Sequence, residues 1–224
     1  MIAQRGATVV SRLDLRSEQK PQKGDHALDR KGRVIVRDPK TIDTVCMHQT
    51  ACVFGPLADP PTRHRRALKI ASHATAFNDG VAVLQTPVRW YVNGGGRWNK
   101  RAVHLEGEGH FPGVPDDPTT PHREDIASVW GNKPTTWDDA IRDTMTEALR
   151  WLVEEARAEG CPIEWIVAHR QSAKTRRSDP GHDVWRDIVL GYAVPVLGLK
   201  TRPNAVLGDG RPIPGLWGEG TAPY

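Results

Sequence analysis

Apolar and polar positions along this chain fall into blocks that predict strands and helices in mixed order. Residues 1–40 are polar and basic and hold one short strand candidate, RVIVR at 33–37, so they read as an arm laid on a domain. IDTVCMH at 42–48 is almost continuously apolar and reads as a buried strand ending at His48. PPTRHRRALKIASH at 60–73 opens on proline and reads as an arginine-rich helix. ATAFNDGVAVLQTP at 74–87 is two short apolar runs around Asn78, Asp79 and Gly80, a hairpin pattern with turn residues that tolerate positive φ. VRWYVNGGGRWN at 88–99 ends in a glycine-rich loop. AVHLEGEG at 102–109 reads as a further strand, whose two-residue period puts His104, Glu106 and Glu108 on one face and Val103 and Leu105 on the other.

The second half of the chain opens with a long loop, 110–134, rich in Pro, Gly and Asp, of the length that is functional or mobile inside a domain. A helix follows, with Thr136 as its cap and Asp139 in the capping-box position. Trp137, Ile141, Ala148, Leu149, Leu152, Val153 and Ala156 then recur at helical spacing, and Gly160 ends the helix. PIEWIVAH at 162–169 reads as a buried strand with His169 at its C-terminal end, and DVWRDIVLGYA at 183–193 as a last helix stopped before Pro195. Residues 200–224 are rich in Gly and Pro and read as a surface tail. The pattern predicts an α/β fold, a mixed central sheet flanked by helices, with the arm at 1–40, one domain at 41–199 and the tail at 200–224.

The 224 residues suit one domain with a real core. Hydrophobic residues make up 38% and charged residues 26%, which excludes a wholly disordered chain. A net charge of +4 favours anionic partners such as nucleic acid, acidic lipid or an anionic wall polymer. Cys46, Cys52 and Cys161 are odd in number and lack a Cys-x-x-Cys pair, which argues against a disulfide framework. No apolar run has the length of a signal peptide core or a membrane span, so the expectation is synthesis in the cytoplasm without stable membrane insertion.

Two of the predicted strands end on histidine, and a carboxylate follows the second in the turn SDPG. Each histidine alone is as easily a core residue bonded to backbone. The carboxylate changes that reading, because a catalytic zinc site takes three protein ligands from imidazole nitrogen and carboxylate oxygen and leaves a position open. His48, His169 and Asp179 form such a set, and the turn at Pro180 and Gly181 gives the carboxylate a direction.

Four segments carry a family resemblance. VCMHQTA resembles the strand of zinc-dependent N-acetylmuramoyl-L-alanine amidases, the amidase type 2 and peptidoglycan-recognition-protein-like family that includes phage endolysins, in which the first zinc histidine lies. SHATAFNDGVAVLQ is similar to their hairpin, and NKRAVHLEGEG to the strand where an Asn precedes the catalytic glutamate by seven residues. VAHR, with DPG ten residues beyond its histidine, resembles their second histidine and carboxylate ligand. The four occur in the family's order over about residues 41–190. The resemblance implies a mixed sheet flanked by helices, one Zn2+ held by His48, His169 and Asp179, and Glu106 as general base. It also implies a substrate, the amide bond between N-acetylmuramic acid and L-alanine in peptidoglycan or a muropeptide.

The chemistry agrees with these residues. An amide resists water at neutral pH; zinc acidifies water and polarises the carbonyl, and a carboxylate must carry the proton to the leaving amine. Glu106 is the favoured acid and Glu108 the fallback; the plain alternative is that one of these acids is a solvated strand residue. The family has a lysine two residues before the aspartate, and this chain has Arg177 there, a cation able to steady an oxyanion but a poorer proton donor. The run KTRRS also reads as plain solvated charge. Asn99, Trp98 and Arg97 are the substrate-contact candidates, with Trp90, Trp130 and Trp137 as further sugar-stacking candidates whose default is core packing. The glycines of GGGRW are expected to let a sugar or peptide approach the backbone. His104 is a candidate support for a ligand, His73 is structural, and His110, His122 and His182 lie in loops.

The expected setting is phage lysis, a monomeric endolysin reaching the wall after the membrane is permeabilised, or recycling of wall fragments in the cytoplasm. A non-catalytic peptidoglycan-binding module is the second reading, disfavoured because such relatives lose a zinc ligand and all three are present here. A nucleic-acid-binding protein using the basic runs at 63–66 and 174–177 is the third, and no readout element accompanies those runs.

Overall fold

The computed structural model describes residues 9–54, 59–113 and 134–218. Seven strands form one sheet: β1 (Ser11–Asp14), β2 (Thr44–Gln49), β3 (Ala74–Ala76), β4 (Val81–Leu84), β5 (Ala102–Gly107), β6 (Trp165–Ala168) and β7 (Lys200–Thr201). Their order across the sheet is β1-β4-β3-β5-β2-β6-β7. Every neighbouring pair is parallel except the β3–β4 hairpin, which turns at the predicted Asn78-Asp79-Gly80 with Gly80 at φ +88°. The mixed α/β sheet with flanking helices is therefore the architecture of this protein.

Alternation along the central strands divides the core in two. Val45 and Met47 of β2, Val103 and Leu105 of β5, and Ile166 and Ala168 of β6 join the large apolar cluster with the long helix. Cys46, Ala102 and Val167 point the other way and pack with Trp98. His48, His104 and Glu106 occupy this second face too, because their strands have a period of two. β2 is buried along its whole length, as a strand inside a parallel sheet must be.

The helices follow the apolar spacing, with two main differences. Residues 60–73 do not form one helix: α1 covers only Pro60–His64, and Arg65–Lys69 tighten into a 3-10 turn. The long helix α2 is Asp139–Ala158, and its cap is Asp138, whose carboxylate accepts from the Ile141 N–H, rather than Thr136. Ile141, Met145, Ala148, Leu149, Leu152, Val153 and Ala156 face the sheet, and Gly160 at φ +84° stops the helix as its position predicts. α3 (His182–Val184) continues as a π-helix over Trp185–Ala193, close to the predicted 183–193. Residues 33–37 give isolated bridges at Val34 and Val36 instead of a strand.

The tail expected on the surface is packed into the protein from 200 to 218. β7 pairs with β6, Ile213 and Trp217 are fully buried, and the Arg170 guanidinium lies 5.0 Å over the Trp217 ring. Leu207 and Arg211 donate backbone hydrogen bonds to Gln171 and Arg170, so the tail backs the turn that carries His169. Gly210 serves close packing, since a Cβ there would lie 2.2 Å from the Gln171 backbone, while Gly208, Gly215 and Gly218 are exposed. Within the described part of residues 1–40, β1 extends the sheet, and buried Arg37 donates to the carbonyls of Val88, Asn99 and Ala102. Among the described residues no helix is long and apolar enough to cross a membrane.

Candidate metal centre and catalytic cleft

Register gathers His48, Glu106 and His169. β5, β2 and β6 are adjacent and parallel, so their C-terminal ends lie at one edge of the sheet, where sites form in open parallel sheets. His48 is level with Glu106 on β5, and Met47 is level with Ala168 on β6, so His169 emerges beside His48. The Nδ1 atoms of His48 and His169 stand 3.0 Å apart, and Asp179 Oδ2 is 3.0 Å from His169 Nδ1. These three donor atoms lie within 4.8 Å of one another, all on buried side chains. Glu106 Oε1 is 3.8 Å from His48 Nδ1.

The carboxylate of Asp179 is aimed by its neighbours. Its Oδ1 accepts from the Gln49 N–H at 3.0 Å, and the Gln49 side chain is fastened in turn to the carbonyls of Ser178 and Phe111. Asp179–Pro180 is a cis peptide, and Gly181 follows at φ +107°. A Cβ on Gly181 would lie 2.6 Å from Phe111 Cβ, so both conformation and space demand glycine there.

Burial pushes His48, His73 and His104 well below the ordinary histidine range, which keeps these imidazoles neutral. Neutral imidazole is the form that binds a metal. Burial works to raise Asp179, but His169, His48 and Arg176 together hold it below the usual carboxylate range. Glu106 goes the other way: burial, reinforced by the charge of Asp179 and opposed by Arg176, pushes it up to about 8. Its Oε2 is buried without a hydrogen-bond partner. Two imidazole nitrogens, an ionised carboxylate and a nearby carboxylate oxygen left unpartnered are a donor set that fits zinc with one open position.

An open cleft of about 340 Å³ runs over this centre, with Glu106, His169 and Asp179 at its base and Phe54, Lys69, Asn93 and Arg176 among its walls. Arg176, not Arg177, lines the cleft; Arg177 lines a small neighbouring recess with Gln49, His110 and Ser178, and its carbonyl accepts from Arg170. The spacing from Asp179 pointed to Arg177, but the turn at 173–179 presents the preceding side chain instead. Glu108 lies past the end of β5, fully buried, and binds the backbone of Phe54 and Asn78 and the Arg63 guanidinium, so it is a structural anion and not an alternative base.

The three substrate-contact candidates also leave the cleft. Trp98 is buried with Cys46, Ala102 and Val167. Asn99 is buried, its Oδ1 accepting from the Gly95 N–H and its carbonyl from Arg37. Arg97 is exposed and lies against Gly208 of the tail. Trp137 donates to Asp187 and packs edge-on to Phe111, while Trp90 packs edge-on to His26. Trp130 and His122 lie outside the described residues. Within the glycine loop Gly95 is pressed against protein, where a Cβ would sit 2.4 Å from His104 Cε1, while Gly94 lines the cleft.

Lys69, Asn93, Phe54 and Arg176 had no distinguishing signal in the sequence, since each sits in a loop or irregular segment whose path only the fold sets. Cys46 also stands close to His48 and His104, but burial pushes its thiol well above the ordinary range, where it is a poor ligand.

No family model matches the chain, and no curated protein matches it. Solved structures give likenesses, among them these three. The endolysin N-acetylmuramoyl-L-alanine amidase LysCS of Clostridium intestinale is 12% identical, with 87% of this chain and 100% of that one covered at a TM-score of 0.45. The amidase LysC of the same organism is 12% identical, with 85% and 99% covered at 0.46. The Ph2119 endolysin of a Thermus scotoductus bacteriophage is 18% identical, with 76% and 91% covered at 0.40. At such identities and scores the case for function rests on the centre itself.

Proposed function

We propose that the protein is a zinc-dependent N-acetylmuramoyl-L-alanine amidase acting on peptidoglycan, of the endolysin type. The observation that carries this is the convergence of His48 Nδ1, His169 Nδ1 and Asp179 Oδ2 beside Glu106, at the base of an open cleft. The bond cut, between the muramyl lactyl carbonyl and L-alanine, follows from the resemblance of the four motifs that supply these residues. Cations at Lys69 and Arg176 in the cleft, and the net charge of +4, suit an anionic wall polymer.

Bound by His48, His169 and Asp179, zinc supplies Lewis acidity toward an amide carbonyl and makes water a competent nucleophile near neutral pH. Glu106 takes the proton of the attacking water on its free carboxylate oxygen and delivers it to the amide nitrogen as the C–N bond breaks. The products are a muramyl carboxylate and a peptide with a new L-alanine amine. Arg176 faces the charge that grows on the carbonyl oxygen, a role in which a guanidinium donates without giving up its proton. Gln49 and the Ser178–Gly181 turn hold the Asp179 carboxylate in place throughout.

The test is digestion of purified peptidoglycan by the zinc-loaded protein, with product analysis. New N-terminal L-alanine is expected, and His48→Ala and Glu106→Ala are expected to yield none. Zinc binding without any cleavage would make the protein a recognition module instead, and a protein that neither binds zinc nor cuts would refute the assignment.

A further inference from the structure

The part of the site that the mechanism leaves unused is the buried imidazole of His104. It stands behind His48, away from the cleft. His48 presents Nδ1 to His169 and Asp179, and its Nε2 lies 3.0 Å from His104 Nδ1. A neutral imidazole carries one proton. If Nδ1 is to offer its lone pair to a metal, the proton sits on Nε2 and needs an acceptor in a place closed to solvent. His104 is fully buried and its Nδ1 is the group within reach.

His104 is itself clamped. Its backbone N–H donates to His73 Nδ1 at 3.0 Å, and its carbonyl accepts from Ser72 Oγ at 2.8 Å and the His73 N–H at 3.0 Å. Its ring stacks on His73 with centroids 5.6 Å apart and planes 19° from parallel. The bare backbone of Gly95 closes the remaining side. The backbone bonds fix where β5 carries His104, and the His73 ring and the Gly95 backbone flank its imidazole.

We infer that His104 is a positioning residue for the metal centre: its Nδ1 accepts the His48 Nε2–H and so fixes His48 in the tautomer and orientation that put Nδ1 on the metal. This rests on the zinc reading of the proposed function. It goes beyond it by assigning a role to an uncharged side chain that touches neither metal nor substrate. Partners of this kind to a metal-bound histidine typically change metal affinity about 10–100-fold when removed.

The test measures zinc affinity by competition with a chromophoric chelator, beside circular dichroism of each metal-free protein. His104→Leu is expected to bind zinc about 10–100-fold more weakly. His104→Asn, whose Oδ1 stands near the lost Nδ1, is expected to recover most of the affinity. Equal affinity of wild type and His104→Leu overturns the inference, as does equal weakening of both variants, which would mean the ring acts by packing. Wild type with no affinity for zinc would instead sink the underlying zinc reading. Should His104→Leu fail to fold, ¹⁵N-histidine NMR of the zinc-loaded wild type decides: a proton on His48 Nε2 and none on His104 Nδ1 is expected, and the reverse refutes the inference.

Discussion

Glu106 on β5 and Glu108 just past its end are two residues apart, and the structure gives them opposite tasks that substitution by glutamine separates. Glu108 is fully buried; its Oε1 accepts from Phe54 N–H at 2.7 Å, and its Oε2 from Asn78 N–H at 2.9 Å and Arg63 Nη2 at 2.5 Å. Glu108→Gln removes the charge opposite Arg63 and turns an amide donor onto one of these donors. Losing one partner of a buried ion pair costs about 3–5 kcal/mol. Arg63 keeps a second anion, Asp79 at 2.5 Å, but that carboxylate is 40% exposed and screened, so about 3 kcal/mol is expected. For a domain of this size that is a fall in Tm of roughly 6–12 °C, at about 2–4 °C per kcal/mol. Below the transition, kcat should survive, with any change in KM, because Glu108 anchors the backbone of Phe54 in the cleft wall.

Glu106→Gln should do the reverse, lowering kcat by about 10²–10⁴-fold, the worth of a general base, without loss of Tm. Its effect on stability also has a sign. In the metal-free protein the Glu106 pKa is raised from its ordinary 4.5 to about 8, so between those values the folded state holds a proton the unfolded state has released. Stability then falls as pH rises through that window. Glu106→Gln should therefore gain Tm over wild type as pH climbs from 4.5 to 8, and the difference should level off above. Thermal melts across pH and steady-state kinetics on soluble muropeptide measure both arms. A Glu108→Gln protein with normal Tm and no activity, or an active Glu106→Gln, would refute the division of labour.

Three further outcomes are expected. Arg176→Ala should lower kcat by about 10²-fold or more, as for loss of one oxyanion donor, while Arg177→Ala stays near wild type; equal effects in the same kinetic assay would contradict the cleft assignment. Trp217→Ala should cost about 3–5 kcal/mol in denaturant unfolding, since this ring is buried beneath Arg170 rather than on a surface tail; no loss would return residues 200–218 to the surface. Gly95→Ala places a Cβ 2.4 Å from His104 Cε1, and its strain, about 1–3 kcal/mol, should appear with weakened zinc binding in chelator competition; unchanged affinity would show that the loop does not bear on His104.

What the sequence determined by itself was what depends on local period and on residue chemistry. Apolar runs located β2, β5, β6, the hairpin and α2, because burial on a strand or helix face imposes a period of two or 3.6. Histidines at the ends of two such runs, with a carboxylate in a rigid turn, were enough to nominate His48, His169 and Asp179. The alternation on β5 put Glu106 and His104 on the same face.

Tertiary structure decided everything that depends on which segments become neighbours. Parallel register brought His48 level with Glu106 and beside His169, a relation between residues as many as 121 positions apart. The path of the 173–179 turn put Arg176 in the cleft where spacing from Asp179 pointed to Arg177. The ends of elements shifted because caps and tight turns answer to particular hydrogen bonds, as Asp138 shows at α2. Trp98, Asn99 and the tail went into the protein because glycine and aromatic residues serve close packing as readily as ligand contact, and only the surrounding backbone separates the two.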